Sequence, residues 1–461
     1  MSIRTRTESV AAVLAGVLPA DRIGTDAALL ATHRHDRSGW APEGLPAAVV
    51  FPHSADEVAA VLRAAHAAGI AVVPRGAGTG LSGAATAVDG EIVLSTARLD
   101  RIVQLDPDDE IAVVQPGVIT ADLDRAAAEH GLCYPPDPGS VEICTIGGNI
   151  ATNAGGLRCA KYGVTRESVL GLDLVLADGR RIETGRHTVK GVTGYDLTAL
   201  FVGSEGTLGV VVGAVVRLLP RPVSTATIAA YFADVEAAAA AVARIRERRL
   251  RPAIAELLDR ATLAAVDAAE GTAFTARGGA LLLVQTDGIG ATAEADAVRA
   301  AVAPTATEVA VTEDPAEAAD LLRARRRALP ALERLGRVLI EDVAVPRSRL
   351  AEAVGEVARI AERHDVRVAT LAHAADGNLH PIFVLEDAAG PVPEPVWAAA
   401  GEVFRTALRL GGTLTGEHGV GLLKRQWVAE ELGEDALDVQ RRIKQALDPR
   451  GILNPGKALP G

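Results

Sequence analysis

The chain has 461 residues, 49% of them hydrophobic and 23% charged, and a formal net charge of −12. That length exceeds one ordinary core and predicts two or three domains. The acidic balance excludes a nucleic-acid partner, because phosphate binding needs clustered basic residues, and the run Arg323, Arg325, Arg326, Arg327 is too short to supply them.

No apolar run is long enough to span a bilayer. The N-terminal Met-Ser-Ile-Arg-Thr-Arg-Thr-Glu lacks the apolar centre of a secretory signal. Cys133, Cys144 and Cys159 form no Cys-x-x-Cys pair. Reduced thiols in a cytoplasmic setting are expected, with no iron–sulfur cluster on this chain.

Residues 1–45 read as a helical lead-in followed by a polar loop. Ala47–Phe51 then reads as a strand. Ser54–Ala68 reads as a helix, with Ser54 as its cap and Glu57 completing a capping box. Ile70–Val73 reads as a second strand, which makes a βαβ unit. The loop Arg75–Gly83 follows and contains Gly-x-Gly-x-x-Gly at Gly78, Gly80 and Gly83. A dinucleotide loop of the Rossmann kind opens into a helix. Here the chain leads to another strand, Glu91–Ser95, so bound phosphates are expected on loop amides instead.

Strands are expected at Ile102–Leu105 and Ile111–Val114, and a helix capped by Thr120 over Thr120–His130. The stretch Gly139–Gly163 is dense in Gly147, Gly148, Gly155 and Gly156, with Asn149 and Asn153 between them. Glycine lets a ligand approach the main chain closely. The stretch is expected to wrap a large polar cofactor and to contain no ordinary amphipathic helix. Val169–Leu176 reads as a strand turning at Ala177–Arg180, and Val210–Leu218 as another. Pro220-Arg221-Pro222 marks a domain boundary.

Beyond it, alanine-rich helices (Val235–Arg248, Ala291–Ala303, Arg349–His364) alternate with strands (Ala226–Phe232, Ala280–Thr286, Arg367–His373). The fold class expected is α+β. The division is a lead-in at 1–45, a first domain at 46–222, a second at 223–412 and a C-terminal segment at 413–461.

The sharpest local geometry surrounds Asp376-Gly377, a preferred pair for a two-residue hairpin turn. Such a turn pairs Ala375 with Asn378, Ala374 with Leu379 and His373 with His380. Directly paired residues have Cβ atoms about 4.5–5.5 Å apart, which suits two imidazoles on one metal ion. Glu417, in the distant loop Gly416–Gly421, is a candidate third ligand. Two structural histidines are the plain alternative. In an extended backbone Glu417 and His418 point to opposite sides, so His418 becomes a candidate general base. The arginine-laden helix Ala319–Leu335 is expected to break at Pro330. An inward arginine there would bind a carboxylate bidentately, and spacing does not choose which one.

Together, Arg75–Gly83, Pro136-Asp137-Pro138-Gly139, Thr145–Gly156 and Gly203–Gly209 resemble the FAD domain of the vanillyl-alcohol-oxidase-type flavoproteins. The later half is similar to the FAD-linked oxidase C-terminal domain through His373-x6-His380, Gly416-Glu417-His418-Gly419 and Asn454-Pro455-Gly456-Lys457. The resemblance implies a two-subdomain FAD-binding domain, then an α+β substrate domain, with a C-terminal segment that returns to the flavin. Arg75, Gly76, Gly78, Thr79, Gly80 and Ser82 would cradle the pyrophosphate. Pro138, Gly139, Thr145, Gly148, Asn149, Thr152 and Gly155 would line the flavin and its linker. Glu205 and Gly206 would lie near the adenine, and Asn454 near the isoalloxazine. His373, His380 and Glu417 match metal ligands for zinc, manganese or iron, His418 the base and Arg325 the carboxylate-binding arginine. No histidine stands in the first loop, so FAD is expected to be non-covalent.

The activity implied is oxidation of a small 2-hydroxy acid, D-lactate or glycolate first. The alternatives are D-2-hydroxyglutarate oxidation and a flavin-bearing subunit of a glycolate-oxidase-like complex. Relatives that use a second substrate carboxylate carry a lysine where this chain has Leu339, Ile340 and Glu341, which favours the smaller acids. The acceptor implied is a quinone, cytochrome or electron-transfer protein. A homodimer or an iron–sulfur partner subunit, and a place in the cytoplasm or at the membrane periphery, complete the expectation.

Overall fold

The computed structural model describes residues 10–39, 44–385 and 390–460. The beginning of the expected lead-in helix lies outside them. The chain forms two compact units. The first comprises 1–155, 163–221 and 417–461, and the second 156–162 and 222–416.

Among the described residues the first unit holds a four-stranded and a five-stranded sheet, besides the short pairing of Leu219–Pro220 with Leu132–Cys133. One aligns Ile23–Gly24, Ala48–Val50, Ile92–Ser95 and Val72–Arg75, in that order. The last three strands run parallel. The helix Ala55–Ala68 connects Ala48–Val50 to Val72–Arg75. It buries Val58, Val61 and Leu62 against Val50, Ile92 and Leu94. Ser54 caps this helix by accepting from the Glu57 amide at 3.2 Å. The expected capping box is incomplete: the Glu57 carboxylate accepts from His53 N at 2.7 Å and pairs with Arg22, so it does not return to Ser54.

The second sheet of this unit is antiparallel, ordered Ile102–Asp106, Ile111–Val114, Val210–Arg217, Val169–Val175 and Arg181–Gly185. Its core gathers Leu172, Leu174 and Val216 with Leu123, Ile146 and Ile150. Two expectations fail here. Thr120 does not cap the helix Thr120–Ala128, because Ile119 holds the cap position. The Thr120 hydroxyl instead accepts from Asn149 Nδ2 at 2.7 Å. The glycine-rich stretch also contains a helix, Ile146–Thr152. Thr145 caps it by accepting from Gly148 N at 3.2 Å, and Ile146 and Ile150 anchor it in the core. Tertiary burial of those two isoleucines overrides the low helix propensity of glycine.

The second unit is built on one antiparallel sheet. Its order is Glu308–Thr312, Thr225–Phe232, Ala280–Asp287, Ile254–Asp259, Val368–His373, Asn378–Leu385 and Arg337–Ile340, and Val343–Ala344 also pairs with Asn378–Leu385. The helices Arg260–Glu270 and Pro315–Glu333 pack on one face, where Leu263, Val266, Ala328 and Leu332 meet Leu258, Leu281 and Leu371. Pro330 does not break Pro315–Glu333, which continues to Glu333. The short segment 156–162 joins this unit. Lys161 pairs with Asp287, and the Tyr162 hydroxyl donates to Asp287 Oδ2 at 2.6 Å. Among the described residues no helix is long and apolar enough to cross a membrane.

Candidate active site

In the first unit, the loop after Val72–Arg75 is shaped by glycine. Gly78 has φ of +73°, and a Cβ there would collide with the Arg75 guanidinium. That guanidinium is turned into the protein, donating to the carbonyls of His35 at 2.9 Å and Ala85 at 3.4 Å. Burial lowers its pKa, against the pull of the nearby Asp36 charge. Asp36 accepts from Gly83 N at 2.9 Å and from Ser38 Oγ at 2.5 Å. Burial nevertheless raises its pKa. A Cβ on Gly80 would lie 3.2 Å from Asp36 Oδ2, and one on Gly76 would lie 2.5 Å from Thr145 Oγ1. Thr79 is half-buried between them. Ser82 Oγ donates to the His418 carbonyl at 3.0 Å.

The polar side chains expected at the cofactor are largely committed to the protein's own loops. Glu205 is buried with φ of +52°. Its two oxygens accept from Val420 N and Gly421 N, each at 2.8 Å. Burial raises its pKa, partly offset by those two amides. Asn454 donates to the carbonyls of Glu205 at 2.6 Å and Ala84 at 3.0 Å, and accepts from Lys457 Nζ at 2.6 Å. Gly206, with φ of +69°, lies against Pro74. The Pro138 carbonyl accepts from Val141 N at 2.8 Å, Gly139 has open space beside its Cα, and Thr152 Oγ1 donates to the Gly148 carbonyl at 3.2 Å. At Gly155 a Cβ would strike the Glu417 carboxylate.

The main-chain amides of Gly76 to Ser82 are left over. Among the described residues they donate to no backbone group. Consecutive amides of this kind make an anion-binding nest. The loop therefore fits the diphosphate of a dinucleotide through its backbone.

In the second unit, the histidine hairpin has a different register from the expected one. His373 pairs with Asn378, Ala372 with Leu379 and Leu371 with His380. The turn spans 374–377, closed by Gly377 N donating to the His373 carbonyl at 3.1 Å. Two neighbours impose it. Ala374 N bonds the Ala255 carbonyl on the next strand at 2.7 Å, and Gly377, with φ of +91°, lies so close to the Val345 carbonyl that a Cβ would not fit. A shift of two residues preserves the face, because side chains alternate with period two. His373 and His380 therefore remain neighbours, on the diagonal, with ring centroids 5.1 Å apart and planes at 87°.

Two buried carboxylates that sequence reasoning missed lie beside these rings. Glu256 stands opposite His373 in the sheet. Its Oε1 is 2.6 Å from His373 Nδ1, and its Oε2 accepts from Arg325 Nε at 2.6 Å. Asp342 accepts from Asn378 Nδ2 and Thr415 Oγ1 at 2.6 Å and from Gly416 N at 2.9 Å, and lies 3.6 Å from His380 Nδ1. Glu256 was legible: a glutamate inside Ile-Ala-Glu-Leu-Leu, an apolar central strand, demands a buried partner. Arg325 is thereby singled out from its neighbours, with its side chain 11% exposed against 62% for Arg323.

Glu417 and His418 belong to the first unit. They do not diverge as an extended backbone would make them. The chain bends there, and His418 Nε2 comes within 4.0 Å of Glu417 Oε1.

Residues 46–185 match the family described as FAD binding domain, and residues 221–458 match FAD linked oxidases, C-terminal domain. The chain belongs to the FAD-linked oxidase family. This FAD-linked oxidase is 42% identical to the glycolate oxidase subunit GlcD of Bacillus subtilis, over 90% of this chain and 89% of that protein. It is 36% identical to the D-lactate dehydrogenase of Archaeoglobus fulgidus, over 89% and 91%. Among solved structures it resembles p-cresol methylhydroxylase, with a TM-score of 0.80 at 17% identity over 99% and 97% of the two chains. It also resembles 4-ethylphenol oxidase from Gulosibacter chungangensis, with a TM-score of 0.79 at 19% identity over 99% and 98%. The fold is accordingly that of the vanillyl-alcohol-oxidase-type flavoproteins, and the enzyme is an FAD-dependent oxidoreductase.

Proposed function

We propose that this FAD-linked oxidase converts a small D-2-hydroxy acid, D-lactate or glycolate first, to the 2-oxo acid. The observation that carries the reading is the imidazole pair His373 and His380, with Glu256 on Nδ1 of His373. A carboxylate on one ring nitrogen is the usual support of a histidine that offers the other to a metal. His373 and His380, with Glu417 as third ligand, would hold a divalent ion such as zinc, manganese or iron. When bound, that ion polarises the substrate hydroxyl and FAD accepts the hydride.

The chain's own residues do the rest. Arg325 keeps its terminal nitrogens for the substrate carboxylate, since Glu256 occupies Nε. His418 takes the hydroxyl proton. The amides of Gly76 to Ser82 hold the FAD diphosphate without a covalent link. Leu339, Ile340 and Glu341 offer no cation to a second carboxylate, which favours lactate and glycolate over 2-hydroxyglutarate.

The test is anaerobic mixing of the FAD-loaded protein with D- and L-2-hydroxy acids while flavin absorbance is followed. Bleaching by D-lactate or glycolate is expected, slowed in His418→Ala. Bleaching by none of the panel refutes the substrate class, and wild-type bleaching in His418→Ala refutes the base.

A second reading is supported by relatives named as subunits, at 42% and 36% identity. In it the chain is the flavin-bearing member of a complex. Turnover by the purified chain with an artificial acceptor separates the two readings.

A further inference from the structure

We propose that Glu256 is a positioning residue that ties the metal-binding imidazole of His373 to the substrate-binding guanidinium of Arg325. The inference rests on the roles assigned to those two residues above.

Glu256 sits at 0% exposure in the strand Ile254–Asp259. A buried carboxylate is tolerated only with partners for its charge and its lone pairs. Here each oxygen has one: His373 Nδ1 on Oε1 and Arg325 Nε on Oε2, both at 2.6 Å. Neither contact uses the atom its partner needs for chemistry. An ionised carboxylate only accepts hydrogen bonds, so a neutral His373 would donate from Nδ1, which makes Nε2 the ring nitrogen that a metal would take. Anchoring Arg325 at Nε fixes the plane of its fork and leaves both terminal nitrogens for a bidentate partner.

The position is enforced from two directions. Glu256 is directly opposite His373 in the antiparallel pair, so the two side chains share a face. Arg325 reaches the same face from Pro315–Glu333, whose Ala328 and Leu332 pack on it. One carboxylate therefore orients two groups with different tasks. Its loss should weaken metal binding and substrate binding together, through contacts that touch neither ligand.

The test uses the FAD-loaded protein with Mn2+ or Zn2+ in competition with a chelator, followed by substrate kinetics. Glu256→Gln is expected to bind metal about 10- to 100-fold more weakly, to raise KM, and to leave FAD content unchanged. In the metal-free protein, 15N spectra of histidine should move one ring from the Nδ1–H to the Nε2–H tautomer, because the glutamine amide can donate to Nδ1. His373→Ala is the control. If it binds metal as the wild type does, the metal reading itself fails. If it loses metal while Glu256→Gln keeps wild-type affinity, KM and tautomer, the inference about Glu256 alone is overturned. Should the glutamine variant not fold, Glu256→Asp carries the test: one methylene shorter, it cannot span both partners, and unchanged metal affinity with unchanged KM overturns the proposal.

Discussion

The two units offer candidate ligand-binding groups of opposite kinds. In the flavin-binding unit the free groups are main-chain amides, Gly76 to Ser82, while Arg75, Glu205 and Asn454 hold the loops that present them. In the sheet unit the candidate groups are side chains, His373, His380 and Arg325, and the buried Glu256 holds His373 and Arg325 in turn. A backbone nest tolerates many side-chain changes and fails when a glycine gains a Cβ. A side-chain constellation on a rigid sheet fails when any one member is removed.

The sharpest way to break this contrast is His380→Ala. If His380 holds the proposed metal and D-lactate is the substrate, the variant should slow flavin reduction by ~10³-fold, about 4 kcal/mol of barrier, with FAD content near wild type. Stopped-flow absorbance and elemental analysis read the two effects separately.

Asn454→Ala comes next. If this residue serves the fold, the variant should lose about 3 kcal/mol of stability even without FAD, because two buried carbonyls and an ammonium lose their partner. Urea unfolding of the apoprotein measures it, and an unchanged midpoint would make Asn454 a cofactor contact instead.

Gly78→Ala should weaken FAD binding by about 2 kcal/mol, since it combines a left-handed backbone with a clash on Arg75. Titration of the apoprotein with FAD tests it, and hydride transfer at saturating FAD should survive.

The last effect is a slope with pH and concerns Lys457. Burial lowers its pKa from 10.5 to about 8, although Glu91 and other carboxylates oppose the shift. Between those values the unfolded chain binds more protons, so stability rises with pH, by about 1.4 kcal/mol per pH unit for this group. In Lys457→Met that contribution to the slope should vanish between pH 8 and pH 10.5, as urea midpoints taken across the interval will reveal.

Legibility from sequence followed the same division. The glycine loop could be separated from a Rossmann site because a strand, Ile92–Ser95, follows it with no helix between. The helix Ile146–Thr152 was hidden, because Gly147 and Gly148 speak against a helix and only the packing of Ile146 and Ile150 overrules them. At the hairpin, local turn chemistry gave the wrong register while alternation still put both imidazoles on one face. The correction came from Ala255 and Val345, residues far from the turn in sequence. Glu256 and Arg325 became a pair only when a strand and a helix 69 positions apart were brought together.

The first unit ends on residues that begin nowhere near it in the chain. Leu453 lies alongside Val72 as a parallel bridge, and Asn454 N donates to the Val72 carbonyl at 2.9 Å. A recombinant fragment stopped at Arg221 would lack that edge partner and the Asn454 clasp on Glu205. Dissecting this enzyme into separately expressed halves therefore requires a gene that carries 417–460 together with the residues up to 221, and not a simple truncation.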